Sequence, residues 1–402
     1  MPLDCREMIL SNNYYDAITD YPVWALEGLQ EDICHLNIDN LYNALYFERS
    51  LLRDVQDYFF SYRSVPKLFG LMQEGGGIGG FDPNSLIASG ITQVQRAPLS
   101  LTGRGVVICF IDTGIDYTSP VFRREDGSSR ILAIWDQTIQ TGTPPQGFQY
   151  GTEYKKEDID AALGAEDPYS IVPSRDEIGH GSSLASAAAG SQLNGGYGFQ
   201  SAAPDADIVV VKLKECKPYL REFFMVPRGV PAYQENDIMM AVQYANTFAE
   251  PLSRPVVICI GMGTNYGDHT GSGPLGRYLN AIAVKRSRAV VVAGGNEGNA
   301  AHHYSGRMDN LGGGGENVDP VEVRVDSGAE GFFLELWGSL PDVFTISVRT
   351  PGGETIPSVR LGLQDVVTYS FVYERTKVSV AGYIVEPASG EELIVLRVQD
   401  PT

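Results

Sequence analysis

Between about residue 100 and 305 the chain alternates two kinds of segment. Short unbroken apolar runs, rich in β-branched residues, recur at GVVICFID (105–112), ADIVVVKL (206–213), PVVICIGM (255–262) and AVVVAGG (289–295). Between them lie stretches such as HGSSLASAAAG (180–190) and ENDIMMAVQYANTFA (235–249), which read as helices. Buried strands alternating with helices predict an α/β fold, a parallel sheet with helices on both faces. In open sheets of this kind, sites form beyond the carboxyl ends of the strands, so the polar residues there are examined first.

The flanks follow other patterns. Residues 1–72 are acidic and aromatic, and IDNLYNALYFERSLLRDVQDYFF (38–60) places apolar residues at roughly helical spacing. A segment this short buries little surface alone, so a small α/β unit docked on the helices of the core is expected. A glycine-rich break follows, QEGGGIGGFDPN (73–84), with GxGxxG at Gly75, Gly77 and Gly80. No clear strand precedes it and Pro83 comes directly after, so it reads as a linker rather than a dinucleotide loop. From 316 the helical pattern stops. VEVRVD, FFLELWG, VFTISVRT, TYSFVYE, KVSVAGYIVE and ELIVLRV, separated by turns such as PGGE and ASGE, predict an antiparallel β module of two sheets. The expected organisation is therefore 1–72, a core at 73–315 that opens with a linker at 73–99, and a β insertion at 316–402. The stretch 136–176, rich in Asp, Glu and Gly, is expected to be a surface excursion.

Charge narrows the classes of partner. Asp plus Glu number 50 against 30 Lys plus Arg, a net charge of −20. No basic footprint is available to neutralise phosphate, which argues against nucleic acid or an anionic membrane; the acidity serves solubility. The five cysteines form no CxxC pair, and Cys109 and Cys259 lie in apolar runs where buried free thiols are expected. That pattern, with no basic and apolar leader at the N-terminus, points to a protein kept inside the cell. No cofactor and no metal are expected.

Three strand-end clusters carry candidate chemistry. In ICFIDTGID, Asp112 ends a buried strand, where a carboxylate needs a donor partner. In EIGHGSSLASAAAG, His180 opens a helix of small residues, and in VVVAGGNEGN, Asn296 follows a strand and two glycines. A turn, a cap or packing would explain any one of them. Together they form a set that chemistry can use. A buried Asp fixes an imidazole's tautomer, the imidazole serves as general base to a hydroxyl, and an amide stabilises the oxyanion.

At these residues the sequence resembles the subtilisin-like serine proteases, whose triad runs Asp, His, Ser along the chain. DTGID (112–116), GHGSS (179–183) and GGNEG (294–298) resemble that family's Asp, His and oxyanion-Asn motifs in order. By this resemblance Asp112 orients, His180 is the base and Asn296 stabilises the oxyanion. CIGMGTN (259–265) resembles the substrate-cleft strand, normally Ser-Leu-Gly, with Gly261, Met262 and Gly263 in its place. A closer resemblance is to the clostridial Csp-type germination proteases. It is carried by PKLFGL, SGITQVQ, LTGRGVVICFIDTGIDYTSPVFRREDGSSRILAIWDQT and GTNYGDHTGSGPL. It implies a prodomain at 1–72, a jelly-roll insertion at 316–402, a cortex-hydrolase zymogen as the protein substrate, and packaging into the spore. Some members of that group are pseudoproteases.

One departure is central. The family's Gly-Thr-Ser-Met-Ala motif is absent, and no serine stands in a Thr-Ser-x-Ala context. Ser182 and Ser183 replace the usual Thr-His after His-Gly and read as packing residues. The chain is therefore expected to be a fragment, a shortened gene product, or one part of a site that a partner completes. An incomplete β module would expose strand edges and favour an oligomer.

Overall fold

The computed structural model describes residues 4–21, 33–51, 62–72, 83–191, 201–308, 318–359 and 366–401. These fall into two units. One comprises residues 1–221, 231–264 and 269–294; the other comprises 222–230, 265–268 and 295–402.

The first unit is built on a six-stranded sheet in the order β12-β10-β5-β8-β6-β7. Its strands are β5 (Val107–Asp112), β6 (Ile131–Asp136), β7 (Thr152–Lys155), β8 (Asp207–Lys212), β10 (Val256–Ile260) and β12 (Arg288–Val292). All neighbours are parallel except β7, which runs antiparallel to β6 at the edge. Every residue of β5 is buried, because both faces of the sheet are covered. Ile108 and Phe110 share a cluster with Ala185 and Ala189 of helix α3 (His180–Ala189). Val107, Cys109 and Ile111 share another with Ile238, Met239 and Val242 of helix α4 (Glu235–Ala249). The alternation of side chains along a strand is thus what divides one apolar run between two layers of helix.

The stretch 136–176 is not a surface excursion. It supplies β7 and helix α2 (Lys156–Leu163), and Tyr150, Ile159, Ala162 and Val172 are buried. Its many acidic residues hid a few well-placed apolar ones. Trp135 on β6 is fully buried, with its ring against Phe148, Tyr150 and Tyr244.

The N-terminal residues form an antiparallel sheet in the order β1-β3-β2, from β1 (Tyr14–Thr19), β2 (Ile33–Asn37) and β3 (Asn43–Glu48), with helix α1 (Cys5–Leu10) beside it. The helical expectation for 38–60 is overturned at 43–48. There Ala44 and Tyr46 point inward and the segment pairs with both neighbouring strands. The pattern suited either period, and the two flanking ladders decided it. This sheet shares its apolar cluster with α4 of the core. Cys5 and Cys34 form a disulfide across 29 positions, which runs against the reducing-compartment pattern read from the cysteines. The packing of α1 on β2, invisible in the spacing, brings their Cα atoms to 5.4 Å. Cys109, Cys216 and Cys259 are free. The glycines of GxGxxG lie outside the described residues.

A third small sheet places β4 (Leu68–Leu71) between β11 (Met262–Gly263) and β9 (Tyr233–Gln234), antiparallel to both. Among the described residues no helix is long and apolar enough to cross a membrane.

The second unit holds a four-stranded antiparallel sheet, β13-β18-β17-β16, and a hairpin, β14-β15. These are β13 (Gly331–Gly338), β14 (Ile346–Arg349), β15 (Thr355–Val359), β16 (Val366–Ser370), β17 (Lys377–Tyr383) and β18 (Glu392–Gln399). Ile356 and Val359 of the hairpin share one core with Val380, Ile394 and Leu396 of the sheet. VEVRVD (321–326) is not a strand: Val321, Val323 and Val325 are exposed and no ladder partner adjoins them among the described residues. Alternation alone does not make a strand.

Candidate active site

Asp112 is the last residue of β5, at the carboxyl edge of the sheet, and is completely buried. His180 is the first residue of α3. Gly179 before it takes a left-handed φ of 83°, which swings the chain into the helix and aims the ring back toward the strand. Gly181 after it permits close packing. A Cβ there would overlap the Gly114 carbonyl and approach Asp112 Cβ to 3.2 Å. The outcome is a hydrogen bond of 2.7 Å between His180 Nδ1 and Asp112 Oδ1, across 68 positions of sequence.

The Asp112 hydrogen bond is the main cause that holds the His180 imidazole above its ordinary pKa, against the opposing effect of burial. Smaller contributions come from a hydrogen bond to the backbone of Met72 and from the charge of Asp176. Asp112 Oδ1 also accepts from the Thr113 backbone N–H at 2.7 Å. Its other oxygen, Oδ2, is buried and has no donor among the described residues.

Asp176 went unnoticed in the sequence, yet it ties the strand end to the helix start. Its carboxylate accepts from Thr113 Oγ1 (2.7 Å), the Gly179 N–H (2.8 Å), and the Ser182 N–H and hydroxyl (2.8 and 2.7 Å). Burial disfavours its charge, but these bonds prevail and hold the carboxyl below its usual range. Thr113 Oγ1 in turn accepts from the Gly181 N–H. The available signal was position alone: an acid four residues ahead of a candidate histidine, where a helix start offers free N–H groups. Ser182 also accepts from the Asp116 N–H, and the Ser183 hydroxyl donates to the Gly179 carbonyl. Both hydroxyls are committed to local structure.

Gly261 and Met262 follow β10, and β11 pairs with β4 so that Met262 faces Leu71 and Gly263 faces Gly70. A Cβ on Gly263 would overlap the side chain of Met72. Phe69 is buried in the same cluster as Tyr233 and Met262, while Gly70 has open space around its Cα. An extended segment, 68–72, therefore ends at the His180 ring, with Leu68 and Phe69 buried. Asp112, His180, Gly261, Met262 and Gly263 all belong to the first unit; Asn296 belongs to the second, in an exposed turn after Gly295. Among the described residues no group of side chains is arranged to hold a metal ion.

A buried Asp hydrogen-bonded to His Nδ1 at the carboxyl edge of a parallel-dominated sheet can hold an imidazole ready for general-base chemistry. Residues 103–317 match the model of the subtilase family, Peptidase_S8, and the chain belongs to that family. Its structure is similar to that of the CspB protease of Clostridium perfringens, with a TM-score of 0.66 and 27% sequence identity. The similarity covers 80% of this chain and 61% of that one, so the chain spans less than two thirds of the length of that protease. No curated protein matches the sequence. The fold is subtilisin-like.

Proposed function

We propose that this chain is a subtilisin-like serine endopeptidase precursor that hydrolyses peptide bonds of a protein substrate. The observation that carries the proposal is the Asp112–His180 pair at the carboxyl edge of the parallel sheet. Asp112 keeps the Nδ1 proton in place, and the other ring nitrogen takes the proton of a serine hydroxyl as it attacks the carbonyl. The imidazolium then gives that proton to the departing amine. Asn296 supplies an oxyanion donor, and Gly261, Met262 and Gly263 pair with the substrate backbone. No Gly-Thr-Ser motif stands in these 402 residues to mark the nucleophilic serine.

Residues 1–72 act as a pro-segment. The pairing of β4 with β11 and the Met72 contact to His180 support a cut near the linker that follows this segment. The resemblance to the Csp-type group favours activation of a cortex-hydrolase zymogen in spore germination as the biological role.

The absence of a Gly-Thr-Ser motif favours a second reading, a pseudoprotease that binds and regulates a partner. One experiment separates them. The 402-residue chain should stay uncut through the linker and show no fluorophosphonate labelling. The full gene product, if it encodes the serine motif, should label and be cut near the linker. A full-length product that carries the serine and still fails to label would overturn the protease reading, and labelling of the 402-residue chain would require a nucleophile within it.

A further inference from the structure

Gly261 lies between β10 and β11, and the space a side chain would fill there is already taken. A Cβ would overlap Asp112 Oδ2, stand 2.9 Å from Leu184 Cδ2 and 3.1 Å from His180 Cε1. Gly261 is not among the glycines with positive φ, so its backbone would accept a side chain. What excludes one is the carboxylate. The oxygen seated against Gly261 is also the one without a donor, while Oδ1 takes both Thr113 and His180.

We infer that Gly261 is a positioning residue: its missing side chain forms the seat of the Asp112 carboxylate, and the donor-free oxygen held there leaves His180 as the main partner of that charge. The inference rests on the role proposed above for the Asp112–His180 pair. A buried carboxylate oxygen without a donor is poorly stabilised, so the ionised group depends more heavily on a cation at its other oxygen. A hydroxyl donated to Oδ2 would stabilise the carboxylate independently and weaken its hold on the imidazolium. A methyl group at the same place would only displace it. Alanine and serine at 261 therefore separate position from hydrogen bonding.

The charged groups that face His180 are the carboxylates of Asp112 and Asp176. Cys259 and Tyr233 also feel the Asp112 charge, and burial keeps both neutral, the Cys259 thiol being pushed up to about 11 and the Tyr233 hydroxyl higher. Two substitutions at 261 should thus be legible in His180 itself.

The experiment uses the 402-residue chain with nitrogen-15 in its histidines and reads the imidazole by NMR. The unsubstituted protein should show a strongly hydrogen-bonded Nδ1 proton and a His180 midpoint above the ordinary value. Gly261→Ala should remove that resonance and lower the midpoint by about one unit, and Gly261→Ser should lower it at least as far. An unchanged resonance and midpoint in both variants would overturn the inference. If either variant is too unstable to measure, Gly261→Ala is repeated in an Asp112→Ala background, where no carboxylate remains to collide. Its cost in thermal midpoint should then shrink by roughly half or more. An equal cost in both backgrounds, including failure to fold in both, would make Gly261 a matter of backbone fit and overturn the inference. None of these readings needs a nucleophile. Failure of the full-length product to label would therefore strike the protease assignment and leave this result standing.

Discussion

Asp112 and Asp16 are both fully buried carboxylates, one at the end of β5 and the other within β1, and each is bonded to a basic side chain. Asp16, on β1 of the N-terminal sheet, is saturated. Lys217 donates to one oxygen, Gln234 and Asn236 donate to the other, and the Asp16 N–H is taken up by the Tyr219 hydroxyl. Lys217 is equally complete, with its remaining bonds on the Met8 and Tyr14 carbonyls. Asp112 is left with one oxygen bare, and its partner His180 is half-buried with a ring that also meets the Met72 backbone. The saturated pair can only hold two segments together. The unsaturated one has capacity left over, and that is the physical mark of a site rather than a joint.

The comparison can be broken in four places. The largest effect is expected in the full-length product, if it carries the serine. Asp112→Asn there should lower kcat by roughly 10⁴-fold, because the amide no longer fixes the imidazole tautomer; a loss under tenfold would deny Asp112 its role. Next comes Lys217→Met, which strands the Asp16 carboxylate in the interior. It should cost about 3–5 kcal/mol in urea unfolding of the whole chain, and Asp16→Leu together with Lys217→Met should recover much of that. A cost under about 1 kcal/mol, typical of an exposed pair, would show that the joint is not closed.

Asp176→Asn should cost about 1–3 kcal/mol, since an amide cannot accept all the donors the carboxylate satisfies. Its folded pKa is depressed, so its stabilisation is present above the ordinary aspartate value and is lost as pH falls through the folded one. The acid limb of the stability curve should flatten in the variant, and an unchanged limb would contradict the assignment. The smallest effect belongs to His180. Its folded pKa is raised, so its contribution is complete below the ordinary histidine value and is lost as pH rises through the folded midpoint. The thermal midpoint should decline across that window, and the decline should be absent in Asp112→Asn.

The parallel sheet was legible because β5 and β8 are buried on both faces and so read as unbroken apolar runs. Asp112 and His180 were legible as the polar ends of such elements. Asp176 was not, since its importance comes from four donors that converge only after folding. β3 was mistaken for helix because its outer positions, Leu45 and Phe47, are half-buried apolar residues and blur the alternation. The pairing of Cys5 with Cys34 and the seat at Gly261 are likewise properties of contact, which spacing along the chain does not carry. VEVRVD marks the opposite failure, a clear alternation that found no neighbouring strand.

The burial of Trp135 has an optical consequence. It is fully enclosed by aromatic rings in the first unit, whereas Trp337 is half-buried on β13 of the second, with its indole N–H on Glu335. The chain has only one other tryptophan, Trp24. In a Trp24→Phe background each unit would carry a single tryptophan in a different dielectric, blue-emitting in the first and redder in the second under excitation selective for indole. The emission colour then becomes a label for which half of the molecule is opening, without any dye attached.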